Sequence, residues 1–237
     1  NVDIKSPANI ENDNGKISSD KSLNLETKYL NNYASSVGAI GTVTFTATEK
    51  LENYVGALRS DDGILTINVG LCRHNGGLLL GKDININATG EVNNNTSLVV
   101  ATNNVNITTS GNLFNNNGDS YGDPYGSYFG MADQHGGIIG KKSVNLKAKN
   151  IYSEKSRIVA QDGTLDIAAA GTFSNANSLT VGGTGATIKA TYINNDNAIL
   201  RSTGNINLET VSLDSKSSGS VKNGNLTVVI SSGKVLV

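Results

Sequence analysis

Cys72 and His74 stand two residues apart, and a thiol beside an imidazole is the usual raw material of a metal site or an activated nucleophile. His135 is the only other histidine, and zinc needs three or four ligands. Asp119, Asp123 and Asp133 sit among asparagines and glycines, an oxygen-rich composition that suits calcium; their spacing matches neither an EF-hand loop nor a glycine-rich nonapeptide repeat. Asp61, Asp62, Asp83 and Asp162, with Lys82 close by, are the remaining acid and base candidates, of the kind that act on polysaccharides when neighbouring coils of a rod bring carboxylates together. Each of these chemistries depends on what elements hold the residues.

Those elements repeat. Asn12, Asn32, Asn53, Asn94, Asn115, Asn175 and Asn195 each lie two residues after an apolar residue, and they are separated by about 20 residues or a multiple of it. A second beat runs as an apolar-x-apolar triplet: Leu23/Leu25, Val43/Phe45, Leu65/Ile67, Ile84/Ile86, Val105/Ile107, Val144/Leu146, Leu165/Ile167, Ala186/Ile188, Ile206/Leu208 and Leu226/Val228. Steps between first members are 20, 22, 19, 21, 39, 21, 21, 20 and 20, so one interval alone breaks the rhythm. Alternation with period two in runs this short predicts strands, two to a coil. With 27 Gly, no Trp, 5% aromatics and 16% charge, the chain lacks the bulky residues of a globular core, whereas a thin stack of slots needs only Leu, Ile, Val and Ala. The expected fold is all-β: a parallel β-solenoid of about ten coils forming one unit over residues 1–237. Each asparagine is expected at a corner, in left-handed backbone, with its amide bonded from coil to coil. A leucine-rich repeat has a similar period but requires a Leu-x-x-Leu-x-Leu lead that is absent.

Register reassigns the candidate chemistry. Cys72 falls in the apolar slot and His74 in the asparagine slot between Asn53 and Asn94, so a small hydrophobe and a ladder variant account for both. The acids near Asp83 are expected as turn formers. No catalytic residue, metal or cofactor is expected. Net charge is −1 and Lys and Arg are scattered singly with no basic stripe, which argues against nucleic acid, and no apolar run approaches a membrane span. Beginning NVDIK and stopping in a strand-like run, the sequence reads as a segment of something longer.

Lines such as IENDNGKISSDKSLNLET and LENYVGALRSDDGILTIN closely resemble the repeats of filamentous haemagglutinin and the large exoproteins of two-partner secretion, from about Ile10 to Val229. The resemblance is greatest to the filaments of contact-dependent growth inhibition toxins. It implies a right-handed β-helix, secreted and displayed on the bacterial surface, and exported through a partner transporter. In the growth-inhibition branch it implies a region that binds an outer-membrane protein on a neighbouring bacterium; in the haemagglutinin branch, a host surface ligand; in either, stretches of inert shaft.

The 39-residue step contains NNNGDSYGDPYGSYFGMADQHGG, and an inserted loop is expected over about 115–136. Tyr121, Asp123, Tyr125, Tyr128, Phe129 and Met131 are its candidate binding residues, because stiff amphipathic rings between Gly, Ser and Asp give contact area at low entropic cost. Rings that fold back on the rod as a strut are the alternative.

Overall fold

The computed structural model describes residues 1–122, 135–215, 220–222, 225–230 and 235–236. Its strands are all parallel and fall into a 17-stranded and a 10-stranded sheet. In the coil that begins at Asp83 the chain runs through Asp83–Ala88, turns into Val92–Asn95, turns again into Leu98–Ala101, and starts the next coil at Asn104. There are thus three strand segments per coil where the alternation predicts two. The third is short, and its outward positions are partly apolar (Leu98, Val100), which blurs the period-two signal.

The apolar triplets stack in register from Val2 through Leu23, Val43, Leu65, Ile84, Val105, Val144, Leu165, Ala186 and Ile206 to Leu226. The rung at Val2 and Ile4 precedes the first one legible from spacing. With strands about 4.8 Å apart, every interior residue lies on its counterpart above and below. Phe45 and Phe173 are the largest side chains buried in this way, and Leu25, Ile67 and Ile188 are fully enclosed. Each such burial contributes roughly 1.5–3 kcal/mol, summed along the rod without any large core residue.

The asparagine column is real, but it is not where the backbone turns left-handed. Apart from Gly137, the positive-φ residues among those described are Asn14, Ala34, Val55, Gly76, Thr96, Asn117, Lys155, Asn177 and Asn197, each two positions beyond a ladder residue. The ladder residue stays extended because its backbone still pairs with the neighbouring coil, as Asn53 does with His74. Its amide then clasps the turn: Asn53 Nδ2 donates to the Gly56 carbonyl at 2.9 Å and Asn32 Nδ2 to that of Ser35 at 3.4 Å.

Val55 at φ 51° is the one β-branched aliphatic residue in that column, and it is half exposed. Left-handed backbone costs a residue with a branched Cβ about 1–2 kcal/mol, and asparagine less. Val55→Asn is therefore expected to raise stability by about 1 kcal/mol in urea unfolding, as asparagine already serves at positions 14, 117, 177 and 197. A loss of stability would show that the valine side chain contributes more than its backbone costs.

Candidate recognition region

Inside the rod, the ladder runs in one direction. Asn12 Nδ2 donates to Asn32 Oδ1 at 2.7 Å, and Asn32 Nδ2 to Asn53 Oδ1 at 2.7 Å. Asn53 Nδ2 then meets His74 Nδ1 at 2.9 Å. An amide nitrogen can only donate, so Nδ1 is the acceptor and the ring proton sits on Nε2, which faces the Leu98 carbonyl at 3.3 Å. His74 is enclosed, and burial holds its pKa down to about 4 although the backbone groups of Leu98 and Asn53 oppose the shift. Because the imidazole donates to a carbonyl, the next amide receives nothing: Asn94 Oδ1 is buried with no hydrogen-bond partner among the described residues. The ladder restarts at Asn94, which donates to Asn115 at 2.8 Å, and Asn115 donates to Ser153 Oγ at 3.1 Å. It restarts again at Asn175, which donates to Asn195 at 2.8 Å. Ser153 occupies the rung that the asparagine spacing skips. Cys72 lies between Leu51 and Val92 as the apolar slot requires, and burial pushes its thiol up to about 12.

The turn acids are engaged locally. Asp83 accepts from Asn104 Nδ2 at 2.7 Å, and Arg59 donates to Asp61 at 2.7 Å. Among the described residues no group of three or more His, Cys, Asp or Glu is placed to hold a metal ion. A cluster that spacing does not reveal centres on Glu52, which accepts from the Tyr29 hydroxyl at 2.5 Å and from Lys50 and Arg73 at 3.1 Å each. Lys50 also lies 4.4 Å from the centre of the Tyr29 ring. Burial favours the neutral carboxyl of Glu52, but the three donors outweigh it and hold its pKa below the usual range. Burial, then the bond to Glu52, raises that of Tyr29. These four side chains, drawn from three consecutive coils, already satisfy one another and form a strut.

The interruption of the repeat is a departure from the rod at one corner. The strand Leu113–Asn116 pairs with Ile151–Glu154, and Leu98 pairs directly with Gly137, so the coils close up as if residues 118–136 were not there. Its neck is pinned: Gly136 N–H donates to the Gly118 carbonyl at 2.8 Å, Gly137 N–H to that of Ser97 at 2.7 Å, and Arg157 to the carbonyls of His135 and Gly136.

Tyr121 does not stand in solvent. It is 4% exposed and packs on the outer face of the smaller sheet with Ala57, Leu78, Leu98, Val100, Ile139 and Val159. Tyr121 lies against the rod because outward positions on these strands are apolar and give the ring a seat. Asp123, Tyr125, Tyr128, Phe129 and Met131 lie outside the described residues.

The even scatter of lysine and arginine in the sequence also conceals a concentration. Of the 19 lysines and arginines, Lys141, Lys142, Lys147, Lys149, Lys155 and Arg157 fall in a single coil, against one acid, Glu154. They ring the rod immediately beyond the neck.

A stack of parallel coils with an internal amide ladder and short strands on three sides defines a β-solenoid of roughly 20-residue repeats. The chain belongs to the haemagglutinin-repeat family: the family's repeat model matches residues 8–53, 62–117 and 138–237. The longer of the two breaks in that match coincides with the excursion. No curated protein and no solved structure matches the chain. Haemagglutinin-repeat proteins are secreted surface filaments of the adhesin type carried by two-partner secretion, and this chain is a segment of that kind. No helix among the described residues is long and apolar enough to cross a membrane.

Proposed function

We propose that this chain is a non-catalytic recognition segment of a surface filament, exported by a partner transporter, and that the region around the excursion binds an outer-membrane protein on a neighbouring bacterium as the receptor-binding part of a growth-inhibition exoprotein. One observation carries the reading. The family's repeat stops at residue 117 and resumes at 138, while the coils on either side keep register, so apart from the seating of Tyr121 the rod stacks without the excursion. Long segments mounted on a rigid scaffold serve recognition more often than the scaffold does. A recognition segment requires no cofactor.

The test is to replace residues 118–136 with a short Gly-Ser turn and compare saturable binding to intact bacteria and to host cells. The shortened chain is expected to keep its β-type circular dichroism and to lose at least about tenfold in affinity for bacteria. Binding confined to host cells would move the assignment to a host-directed adhesin. Binding that survives the replacement, or none to any cell, would leave an inert shaft.

A further inference from the structure

On other coils several charges are neutralised from one coil to the next. Lys5 pairs with Glu26 at 3.1 Å, Lys28 with Glu49 at 3.3 Å, Arg73 with Glu52 at 3.1 Å and Lys189 with Glu209 at 2.9 Å, each across one rung. The coil at 138–157 departs from this habit. Lys141, Lys142, Lys147, Lys149 and Lys155 are all exposed, and none makes an ion pair among the described residues. Their stacking partners explain why. Lys147 lies between Thr108 and Ala168, and residues 98–118 of the coil beneath contain no charged side chain at all. Glu154 within the coil, Asp119 one rung beneath Lys155, and Asp162 and Asp166 in the next coil are the nearby acids by register. Beneath Lys141, Lys142, Lys147 and Lys149 the neutral stretch puts the next acids, such as Asp83, about two rungs or roughly 10 Å away, which exceeds the screening length of about 8 Å at physiological salt. The positive potential therefore reaches solvent.

From this we infer that the coil at 138–157 is a docking belt for an acidic polypeptide surface on the partner. The inference rests on the reading that this region meets a partner, and it specifies that partner's charge. Lys141 and Lys142 occupy the corner after the strand Gly137–Gly140, Lys147 the face of Ser143–Ala148, Lys149 the following corner, and Lys155 the left-handed corner. Cations spread over several sides offer a flat bilayer only a few contacts at once. A folded acidic surface that meets the excursion would meet Lys155 and Arg157 on one flank of its neck and Lys141 and Lys142 on the other. Lysines at the rim of a contact steer association and fix orientation.

The probe is fluorescent poly-L-glutamate, titrated against the purified chain at low and at physiological salt. Comparison is with a variant carrying Lys141→Gln, Lys142→Gln, Lys147→Gln and Lys149→Gln, and with a control losing the same charge through Lys16→Gln, Lys21→Gln, Lys28→Gln and Lys82→Gln. All eight side chains point outward, so unchanged circular dichroism is expected throughout. Binding that weakens with salt, falls about tenfold or more in the belt variant and is retained in the control supports the belt. Equal binding by all three proteins overturns it, as does binding to anionic phospholipid vesicles without binding to polyglutamate. The same variants on intact bacteria separate the two ideas: absence of any cell binding by the unaltered chain overturns the recognition reading, whereas equal binding by chain and belt variant overturns the belt alone.

Discussion

Truncating Asn32 to alanine is expected to cost on the order of 3 kcal/mol, because its amide is shared by four groups. It accepts from Asn12 at 2.7 Å and donates to Asn53 at 2.7 Å, and its nitrogen also lies 3.4 Å from the carbonyls of Ser35 and Ala57. The residue is fully buried. Removing the amide leaves the Asn12 donor and the Asn53 acceptor facing a void too small to be well hydrated, and each stranded group costs about 1–3 kcal/mol. The same truncation at Asn68, whose half-buried side chain on the solvent face accepts from the exposed Asn87 at 2.9 Å, is expected to change stability by less than about 0.5 kcal/mol, since water replaces the lost partner. In a rod whose coils touch only their neighbours, the Asn32 defect should appear first as opening of the N-terminal coils. Urea unfolding with hydrogen exchange resolved along the chain measures both the size and the place. Equal effects at Asn32 and Asn68 would mean that the interior ladder contributes no more than a surface one.

That contrast bears on how much of this molecule can be read from its sequence. The interior triplets are legible because each rung must present an apolar residue at one register, and a slip of one residue would turn the whole face outward. Asn12, Asn32 and Asn53 are legible for a related reason: an amide that both donates and accepts suits a column where every neighbour does the same. The left-handed corner is hidden. It is a constraint on backbone, met by Asn14, Ala34, Val55, Gly76, Thr96 and Lys155 alike, so no residue type marks it. Ser153 escapes notice because a hydroxyl accepts from Asn115 as well as an amide would. The length and place of the excursion follow from one anomalous step, but the fate of Tyr121 does not. Its seat is made by Leu78, Leu98, Val100 and Ile139, whose outward direction becomes visible only once the third strand of each coil is known. The lysine belt is concealed in the same way, since five lysines spaced over a stretch of sequence look scattered until the stretch closes into one turn of the rod.

Stability is expected to fall by about 3 kcal/mol as pH is lowered from 7 to 4, with His74 as the source. The sign follows from the two end states. Unfolded, the imidazole titrates at its ordinary 6.5; folded, burial holds it down to about 4. Above pH 6.5 both states are neutral and pH has no effect through this group. Between the two values the unfolded chain binds a proton that the folded chain refuses, so each unit of acidification costs up to about 1.4 kcal/mol. Below about 4 the folded state is protonated as well and the loss levels off. Protonation would also place a donor on Nδ1 against Asn53 Nδ2, so the ladder cannot accommodate it without turning amides over. Carboxylates such as Glu52, whose folded pKa is depressed, lose stability at the acid end of the same range, so the unaltered chain alone does not isolate the histidine. His74→Asn does. With an amide at that position Asn53 keeps an acceptor and Asn94 Oδ1 gains the donor it lacks, which joins the first two stretches of the ladder. The variant is expected to be more stable by about 1 kcal/mol at pH 7, and its advantage should widen to about 4 kcal/mol by pH 4. Urea unfolding of both proteins at a series of pH values reads the difference directly. A gap that stays constant across that range would show that His74 is free to take up a proton in the folded rod, and that the break in the ladder is a matter of geometry alone.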